Sequence, residues 1–390
     1  MANVFAKRPL VITRGKGALV WDIKGKEYID CMGSYGVALL GHSHPKVVEA
    51  VCKQAEALIS CHASLYNNKR TEFLQKLMSI TPKGLNKAFL SNSGAEAVEC
   101  AIKLARKFTG KPEIIAMMGG FHGKTMGALS ATWDKKYREP FQPLVPEFKH
   151  IPPDNLEKVQ EAITEKTAAI LAEPIRGEGG VRVPPDGFLQ GLRELCDEKN
   201  VLLILDEVQT SFGRTGKLFG CEHWGVTPDV MCLAKPFAGG LPIGITVAKE
   251  NIMYSLKVGE HSSTFSGSPL VCAAACAAID VLLEEKLADR AATMGKYFKA
   301  KLEDLQAKYK IVKEVRGLGL MLGVELRYDV LNIILKAMDR GVLILDAGRN
   351  VLRFLPPLVI EKEQIDKAIS ILDTVIGEEE NERLCSATSN

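Results

Sequence analysis

The sequence contains neither a long apolar run nor a strong charge bias, and each absence excludes a class of protein. No stretch approaches the roughly 18 consecutive apolar residues that a membrane-spanning helix needs. The first ten residues, MANVFAKRPL, lack the apolar centre of a secretory signal. Lys and Arg number 50 against 47 Asp and Glu, so the net charge of +3 is too small to favour nucleic-acid binding. We therefore expect a cytoplasmic protein that binds neither membranes nor nucleic acids.

Paired cysteine motifs are also missing. The ten cysteines are scattered without a CxxC pair, in a chain far too long for a disulfide scaffold, which favours reduced thiols. His42 and His44 lie in GHSHP, with Cys31, Cys61 and His62 nearby, but their spacing matches no zinc-ligand set. We interpret these histidines as turn and domain-interface residues and predict no metal.

Short, continuous apolar runs alternate with amphipathic stretches through the middle of the chain. Strands that are apolar on both faces indicate a sheet covered by helices on both sides. The sequence therefore predicts an α/β fold with a mainly parallel, doubly wound sheet over residues 49–275. The predicted strands are Lys87–Leu90, Glu113–Met118, Thr167–Ala172, Val201–Leu205, Asp229–Ala234 and Ile243–Val247, with helices at Ala95–Phe108, Leu156–Glu165 and Phe188–Lys199.

The two ends of the chain predict a second, smaller α+β domain. A long helical stretch, Leu270–Tyr309, leads into strands predicted at Leu318–Leu326 and Val351–Phe354. The segment Ala18–Tyr28 predicts a hairpin that packs with them. We expect residues 1–48 and 276–390 to form this domain together.

Polar residues follow five of the predicted strands. Ser91 to Ala95 follow the first, Gly119 to Gly123 the second, Glu173 the third, Asp206 to Gln209 the fourth, and Lys235 the fifth. Because ligands of open α/β sheets bind beyond the carboxyl ends of the strands, this convergence predicts a ligand site.

Each of these residues alone has an ordinary structural interpretation. Ser93 and Gly94 read as a helix N-cap, and Phe121 as a core residue. Asp206 and Lys235 are less ordinary, because each ends an apolar strand, where burying a charged group without a partner is costly. A partly buried lysine has a lowered pKa and condenses readily with aldehydes.

Taken together, the residues describe a site for pyridoxal 5'-phosphate. Lys235 would bond to the aldehyde, and Asp206 would hold the ring nitrogen protonated. Phe121 and Val208 would enclose the ring. The backbone amides at Ser93, Gly94 and Ala95 would hold the phosphate at the positive end of a helix.

Nearly the whole chain resembles the class III, ornithine/acetylornithine-like aminotransferases of fold type I. The resemblance lies in SNSGAEAVECAIKLAR, GGFHGKTMGALS, AEPIRGEGGV, LLILDEVQTSFGRTG, LAKPFAGGLPIG and VLRFLPPLVI. It implies a homodimer with active sites at the interface. By position, the implied cofactor residues are Ser93, Gly94, Ala95, Phe121, His122, Asp206, Val208, Gln209, Lys235 and, from the other subunit, Thr264. The implied substrate residues are Tyr35, Glu178, Ser263 and Arg353, with Lys235 and Asp206 catalytic.

The segments YIDCMGSYGVALLGH, TWDKKYREPFQPLV and RFLPPLVIEKEQI look most like enzymes that act on lysine or ornithine bound to an amino-group carrier protein (LysW type). The resemblance thus implies transamination between a carrier-linked terminal amine and 2-oxoglutarate, in lysine or arginine biosynthesis. N-acetylornithine aminotransferase of arginine biosynthesis is the alternative. Arg176, where glutamine is usual, and Ser266 and Ser268, where Gly and Asn are usual, leave the substrate open.

Two other functions use the same fold. A pyridoxal-phosphate-dependent aminomutase would keep the same lysine and aspartate, whereas a non-enzymatic relative usually lacks one of them.

A basic cluster is formed by Lys135, Lys136 and Arg138, with Arg176 and Arg182 expected near the same opening of the ligand site. It is either a solvated basic face or a dock for an acidic carrier protein.

Overall fold

Strands and helices alternate along most of the chain in the computed structural model, which describes residues 2–4 and 6–388. The strands are β1 Ile12–Lys16, β2 Leu19–Asp22, β3 Glu27–Asp30, β4 Lys87–Ser91, β5 Glu113–Met117, β6 Phe148–Ile151, β7 Thr167–Ala172, β8 Leu202–Asp206, β9 Val230–Ala234, β10 Gly244–Ala248, β11 Val312–Leu318, β12 Met321–Leu326, β13 Val342–Leu343, β14 Leu345–Asp346 and β15 Val351–Phe354. The helices are α1 Gly33–Gly36, α2 Pro45–Ala57, α3 Asn68–Ile80, α4 Gly94–Thr109, α5 Met126–Ala131, α6 Lys135–Arg138, α7 Leu156–Ala162, α8 Phe188–Lys199, α9 Glu250–Met253, α10 Pro269–Glu284, α11 Leu287–Lys308, α12 Leu331–Asp339 and α13 Lys362–Thr388.

The described residues form a central seven-stranded sheet in the order β4-β10-β9-β8-β7-β5-β6. All of its pairs are parallel except those of β10, which runs antiparallel to β4 and β9. Only residues 235–243 separate β9 from β10, too few for the crossover that a parallel pair requires. The carboxyl ends of β4, β5, β7, β8 and β9 therefore share one edge, which confirms the mainly parallel sheet.

Helix α4 shows how the sequence determines where a helix begins and ends and which face it packs on this sheet. It begins after Ser93, whose Oγ accepts the Glu96 N–H at 3.2 Å, and it ends at Gly110, whose φ of 69° is easily adopted by glycine. Its apolar face is buried against β9 and β10. Truncating Leu104 to alanine in this face would cost roughly 2–5 kcal/mol.

The smaller domain contains two sheets, β1-β2-β3-β13 and β11-β12-β15-β14. Strand β13 pairs in parallel with β3, so both ends of the chain contribute to one sheet, as the sequence predicts. The boundaries at residues 48 and 275 stay a prediction.

Three element predictions were wrong in detail. Leu318–Leu326 is a turn and a strand, because Gly319 reverses the chain with a φ of 54°. The helical stretch after Leu270 breaks at Lys286, which has a left-handed φ of 49°. Helix α7 ends at Ala162, three residues before the expected Glu165. Among the described residues, no helix is long and apolar enough to cross a membrane.

Candidate active site

A cavity of about 780 Å³ opens at the carboxyl edge of the central sheet. It is the place where the polar strand ends converge, as the sequence predicts. The predicted site residues that line it are Tyr35, Ser93, Gly94, Ala95, Phe121, His122, Glu178, Asp206, Val208, Gln209, Lys235 and Arg353.

Lys235 follows β9 directly and lies at the wall of the cavity. Its φ of 53° is left-handed, an unusual conformation for a lysine that directs the chain into the following Pro236 turn. Burial lowers the pKa of Lys235 to about 8, aided by the positive charge of Arg353 and opposed by Glu178 and Asp206. About a tenth of the amine is therefore neutral, and so nucleophilic, at pH 7, a far larger fraction than for an exposed lysine.

Asp206, at the end of β8, forms a buried pair with His122. The His122 Nδ1 lies 2.9 Å from Asp206 Oδ2, and Asp206 Oδ1 accepts the Val208 N–H at 3.0 Å. Burial lowers the pKa of His122, but the hydrogen bond to Asp206 and its charge outweigh burial, so the pKa is raised overall. The imidazole therefore fixes the carboxylate in the cavity wall.

The loop between β4 and α4 forms an anion cup. Glu96 accepts hydrogen bonds from the Asn92 N–H and the Ser93 hydroxyl, both at 3.0 Å, and so fixes the start of the helix. A Cβ at Gly94 would lie 2.9 Å from a Val208 methyl carbon, so only glycine lets the helix start approach this closely. The first-turn amides and the helix dipole suit a phosphate group.

The stacking candidate Phe121 belongs to the loop after β5. Its N–H donates to Glu173 Oε1 at 2.9 Å, and its ring meets Tyr137 edge-on at 5.7 Å between centroids. Phe121 and Val208 both line the cavity. The enclosure of a ring between them stays a prediction.

Arg353, on β15, is fully buried against Glu178. Its Nη1 donates to Glu178 Oε1 at 2.6 Å and to Gln209 Oε1 at 3.3 Å. Its Cζ lies 5.6 Å from the centre of the Tyr35 ring. Within the described residues, Arg353 Nε and Nη2 have no hydrogen-bond acceptor. These two donors suit a carboxylate that enters the cavity.

Two predicted residues are not brought to the cavity of their own chain. Ser263 accepts a hydrogen bond from Asn92 Nδ2 at 2.9 Å, and its contact with substrate stays a prediction. Thr264 is exposed, and the resemblance assigns it to the neighbouring subunit's site.

Sequence reasoning missed several lining residues. Lys124 lies two positions after His122, and its Nζ is 4.7 Å from the centre of the Tyr137 ring. Asn92 and Asp346 also line the cavity. Glu173 was noted as a strand-end carboxylate without a role. The strand-end position was a usable signal for Glu173 and Lys124, whereas Tyr137 and Asp346 approach only through tertiary folding.

Two arginines of the expected basic face serve the fold. Arg176 makes a bidentate pair with Asp154, at 2.9 and 2.7 Å, and Arg182 pairs with Glu314 and Glu325 at 3.1 and 2.5 Å. Their inclusion in a free basic face was wrong, because buried or half-buried guanidinium groups take local carboxylates.

The remaining part of that cluster is more open. Lys135 and Lys136 are exposed, Lys136 pairs with Asp134 at 2.9 Å, and Arg138 lies over the Trp133 ring. Two of the histidines considered as metal ligands have other partners: His42 bonds Asp30 at 2.7 Å, and His44 bonds Glu285 at 3.2 Å.

Comparison with known proteins gives one consistent result. The family model "Aminotransferase class-III" matches residues 2–376. The chain is 50% identical to the acetylornithine aminotransferase of Methanopyrus kandleri over 372 residues, 95% of both chains. It is 47% identical to the [LysW]-aminoadipate semialdehyde transaminase of Deinococcus radiodurans, over 96% of this chain and 88% of that one. An ornithine aminotransferase structure from Toxoplasma gondii, with PLP in partial occupancy at its active site, superposes with a TM-score of 0.93 at 37% identity, covering 98% and 93% of the two chains.

Proposed function

The chain belongs to the class-III aminotransferases, which are pyridoxal-phosphate-dependent enzymes of fold type I, and from that premise we propose its substrates. We propose that it transfers the terminal amino group of N-acetylornithine to 2-oxoglutarate, forming glutamate, in arginine biosynthesis. The observation that carries the exchange between a terminal amine and glutamate is the Arg353–Glu178 pair beside Lys235, and the choice of N-acetylornithine rests on the relatives. When the pair is closed its charges cancel, and when Glu178 turns away Arg353 presents a positive charge to the substrate.

The cavity fits the cofactor at each of its polar ends. The cup at Ser93 to Ala95 suits the phosphate, Asp206 suits the ring nitrogen, and Lys235 suits the aldehyde. Pyridoxal phosphate supplies, when bound, an electron-withdrawing ring that stabilises negative charge at the adjacent substrate carbon. Gln209 shares its side-chain oxygen with Arg353, so it can link the cofactor wall to the substrate wall.

Lys235 and Asp206 divide the proton chemistry. With its lowered pKa, the Lys235 Nζ is a suitable base for the proton on the carbon that bears the amino group. Asp206, held by His122, would place a carboxylate against the ring nitrogen and so favour its protonated form.

Arg353 and Glu178 serve two substrates of different charge. A terminal amine brings no carboxylate next to the reacting carbon, so the ion pair stays closed. Glutamate brings its α-carboxylate there, and Arg353 can bind it when the Glu178 side chain turns away. Lys124, at the wall of the same cavity, is a second cation suited to the distant carboxylate of either substrate.

The comparisons change the order of the two substrate hypotheses. The sequence pattern placed carrier-linked lysine or ornithine first. Acetylornithine aminotransferases, however, match at 50, 48 and 47% identity, and the carrier-linked enzyme at 47%. We therefore put N-acetylornithine first. The carrier-linked substrate stays the second candidate, supported by that relative and by the exposed Lys135 and Lys136.

One experiment separates these substrates. We would measure kcat/KM with N-acetylornithine, free ornithine and a carrier-linked lysine, with 2-oxoglutarate as acceptor and product analysis by mass. The proposal expects N-acetylornithine to be preferred and one glutamate to form per aldehyde. A higher kcat/KM for the carrier-linked substrate would reverse the order. Isomerised substrate without glutamate would instead indicate an aminomutase.

We also propose a homodimer with shared sites. Thr264 is exposed, and beside it Phe265 is 67% exposed. Leu65 and Tyr66, exposed by 63% and 104%, lie on a loop tied to this region through Arg70, which donates to the carbonyls of Leu65 and Gly267. Exposed apolar side chains on two linked loops suit the surface of a second copy, which would receive Thr264.

A further inference from the structure

Glu173 occupies a position in the cavity wall for which the reaction described above provides no role. It follows β7 directly, between Phe121 on one side and the loop Arg176–Arg182 on the other. Its Oε1 accepts the Phe121 N–H at 2.9 Å, and its Oε2 accepts the Gly177 N–H at 3.0 Å. One carboxylate thus holds two separate loops through backbone amides.

Each of these loops carries functional side chains. The first loop presents Phe121 to the cofactor cavity and His122 to Asp206. The second presents Glu178 to Arg353 at 2.6 Å. Besides Gln209, which accepts a hydrogen bond from Arg353, Glu173 is thus a second side chain that joins the cofactor wall to the Arg353–Glu178 pair.

The second loop is also closed on itself. Arg176 and Arg182 close it with two backbone hydrogen bonds, 3.1 and 3.0 Å, and Arg316 Nε donates to the Gly180 carbonyl at 2.8 Å. A Cβ at Gly177 would lie 2.2 Å from Gln209 Oε1. These contacts hold the shape of the loop, and Glu173 ties the loop to the Phe121 N–H.

We propose that Glu173 is a positioning residue for transamination, whose two carboxylate oxygens hold the Phe121–His122 loop and the Glu178 loop in one register. A carboxylate suits this position because it offers an acceptor to both amides at once. Glutamine offers one acceptor oxygen and turns an NH₂ group toward the other amide. Aspartate is shorter by one methylene and cannot span both loops.

Protonation should act like the glutamine substitution. The titratable groups that face Glu173 are His122, Asp206 and Lys235. Burial first, and then the charge of Asp206, raise the pKa of Glu173 to about 7, against the opposing effect of His122. Above that pH the carboxylate accepts both amides; below it, one oxygen carries a proton and is a poor acceptor.

The test compares Glu173→Gln with a matched control, Glu207→Gln. Glu207 is fully buried, whereas Glu173 is partly buried; like Glu173, it accepts two backbone amides, those of Gly220 and Cys221 at 2.9 and 2.7 Å, but it does not line the cavity. Both variants are studied as the cofactor-loaded enzyme. The readouts are amide hydrogen exchange of the peptides around residues 119–123 and 176–182, and the pH profile of the glutamate half-reaction.

The loss of one amide acceptor should speed exchange of these peptides on the order of tenfold in Glu173→Gln, and not in Glu207→Gln. The glutamate half-reaction of the wild type should slow as pH falls through about 7, and Glu173→Gln should be slow and lack that step. Unchanged exchange in both loops, or the same pH step in Glu173→Gln, would overturn the proposal.

A second measurement covers a variant that fails to fold. In the wild type, corrected for intrinsic rates, exchange in residues 119–123 and 176–182 should accelerate together as pH falls through 7, while the peptide around Gly220 stays constant. Constant protection across that range would also overturn the proposal. The inference needs only the glutamate half-reaction, so a different amine donor leaves it intact.

Discussion

Arg353 and Glu178 form an ion pair of 2.6 Å in which the guanidinium is fully buried and the carboxylate side chain is 30% exposed. A buried arginine on β15 has little freedom, whereas a partly exposed carboxylate on a loop can rotate toward solvent. We therefore expect Glu178 to be the member of the pair that moves, and Arg353 the member that stays fixed.

Conservative replacement of Arg353 should separate the two half-reactions. Arg353→Lys keeps the charge but loses the planar pair of donors that a carboxylate accepts. We expect the KM for glutamate and 2-oxoglutarate to rise on the order of tenfold or more, and the KM for the amine donor to change far less. Glu178→Gln is the reciprocal variant, which should impair the amine donor more. Equal effects on both half-reactions would contradict the switch.

Much of this site could be predicted because it lies at strand ends. The continuous apolar strands before Asp206 and Lys235 determine where both side chains emerge, so a local pattern was sufficient. The register of Glu173 between two loops could not be predicted, since its partners are backbone amides 52 residues before it and four residues after it. Backbone amides do not depend on the side chain, so the residue types do not indicate which amides Glu173 contacts.

The errors also have physical reasons. Arg176 reads as a free cation in sequence, but Asp154, 22 positions earlier, neutralises it only once β7 and the loop before α7 are assembled. The edge strand β6 was missed because its residues, FKHI, are only half buried and lack a strong period. The break at Lys286 depends on the left-handed backbone conformation of one residue, which the pattern of apolar and polar side chains does not indicate.

Reduction with borohydride should attach the cofactor to Lys235. Two lysines line the cavity, Lys235 and Lys124, so peptide mapping gives a clear choice between them. Lys235→Ala should abolish transamination, because the same amine also moves the proton. Lys124→Ala should retain cofactor attachment and weaken substrate binding. An adduct mapped to Lys124 would refute the assignment of Lys235.

The pH dependence of cofactor attachment follows from the lowered pKa of Lys235. The amine attacks only in its neutral form, and its pKa of about 8 makes half of it neutral at that pH. With cofactor-free enzyme, the rate of reattachment should rise with pH and level off above about 8. Glu178 raises this pKa, so Glu178→Gln should move the midpoint to lower pH. A wild-type midpoint near 10 would contradict the burial of the amine.

Asp206→Asn should leave the cofactor bound but slow proton removal. The substitution keeps the size of the side chain and removes the charge that holds the ring nitrogen protonated. We expect kcat to fall on the order of a hundredfold or more. Asp229→Asn is the control, because Asp229 is also buried but pairs with Arg193 and Lys249 just before β9, at the opposite edge of the sheet. It should lower stability with little effect on kcat; near-normal kcat in Asp206→Asn would mean that another group holds the ring.

Salt dependence should decide whether a carrier protein docks at Lys135 and Lys136. Complementary charge mainly accelerates association and is screened over a Debye length of roughly 8 Å at physiological ionic strength. If the carrier-linked substrate uses this surface, its kcat/KM should fall steeply as salt rises, and that of N-acetylornithine should not. Charge-reversal variants provide a second test of docking at this surface. Lys135→Glu should raise KM for the carrier-linked substrate, whereas Lys166→Glu, at the exposed start of β7 on the opposite sheet edge, should not. If salt and both reversals act alike on carrier-linked and free substrates, docking at this surface is excluded, and the N-acetylornithine hypothesis gains support.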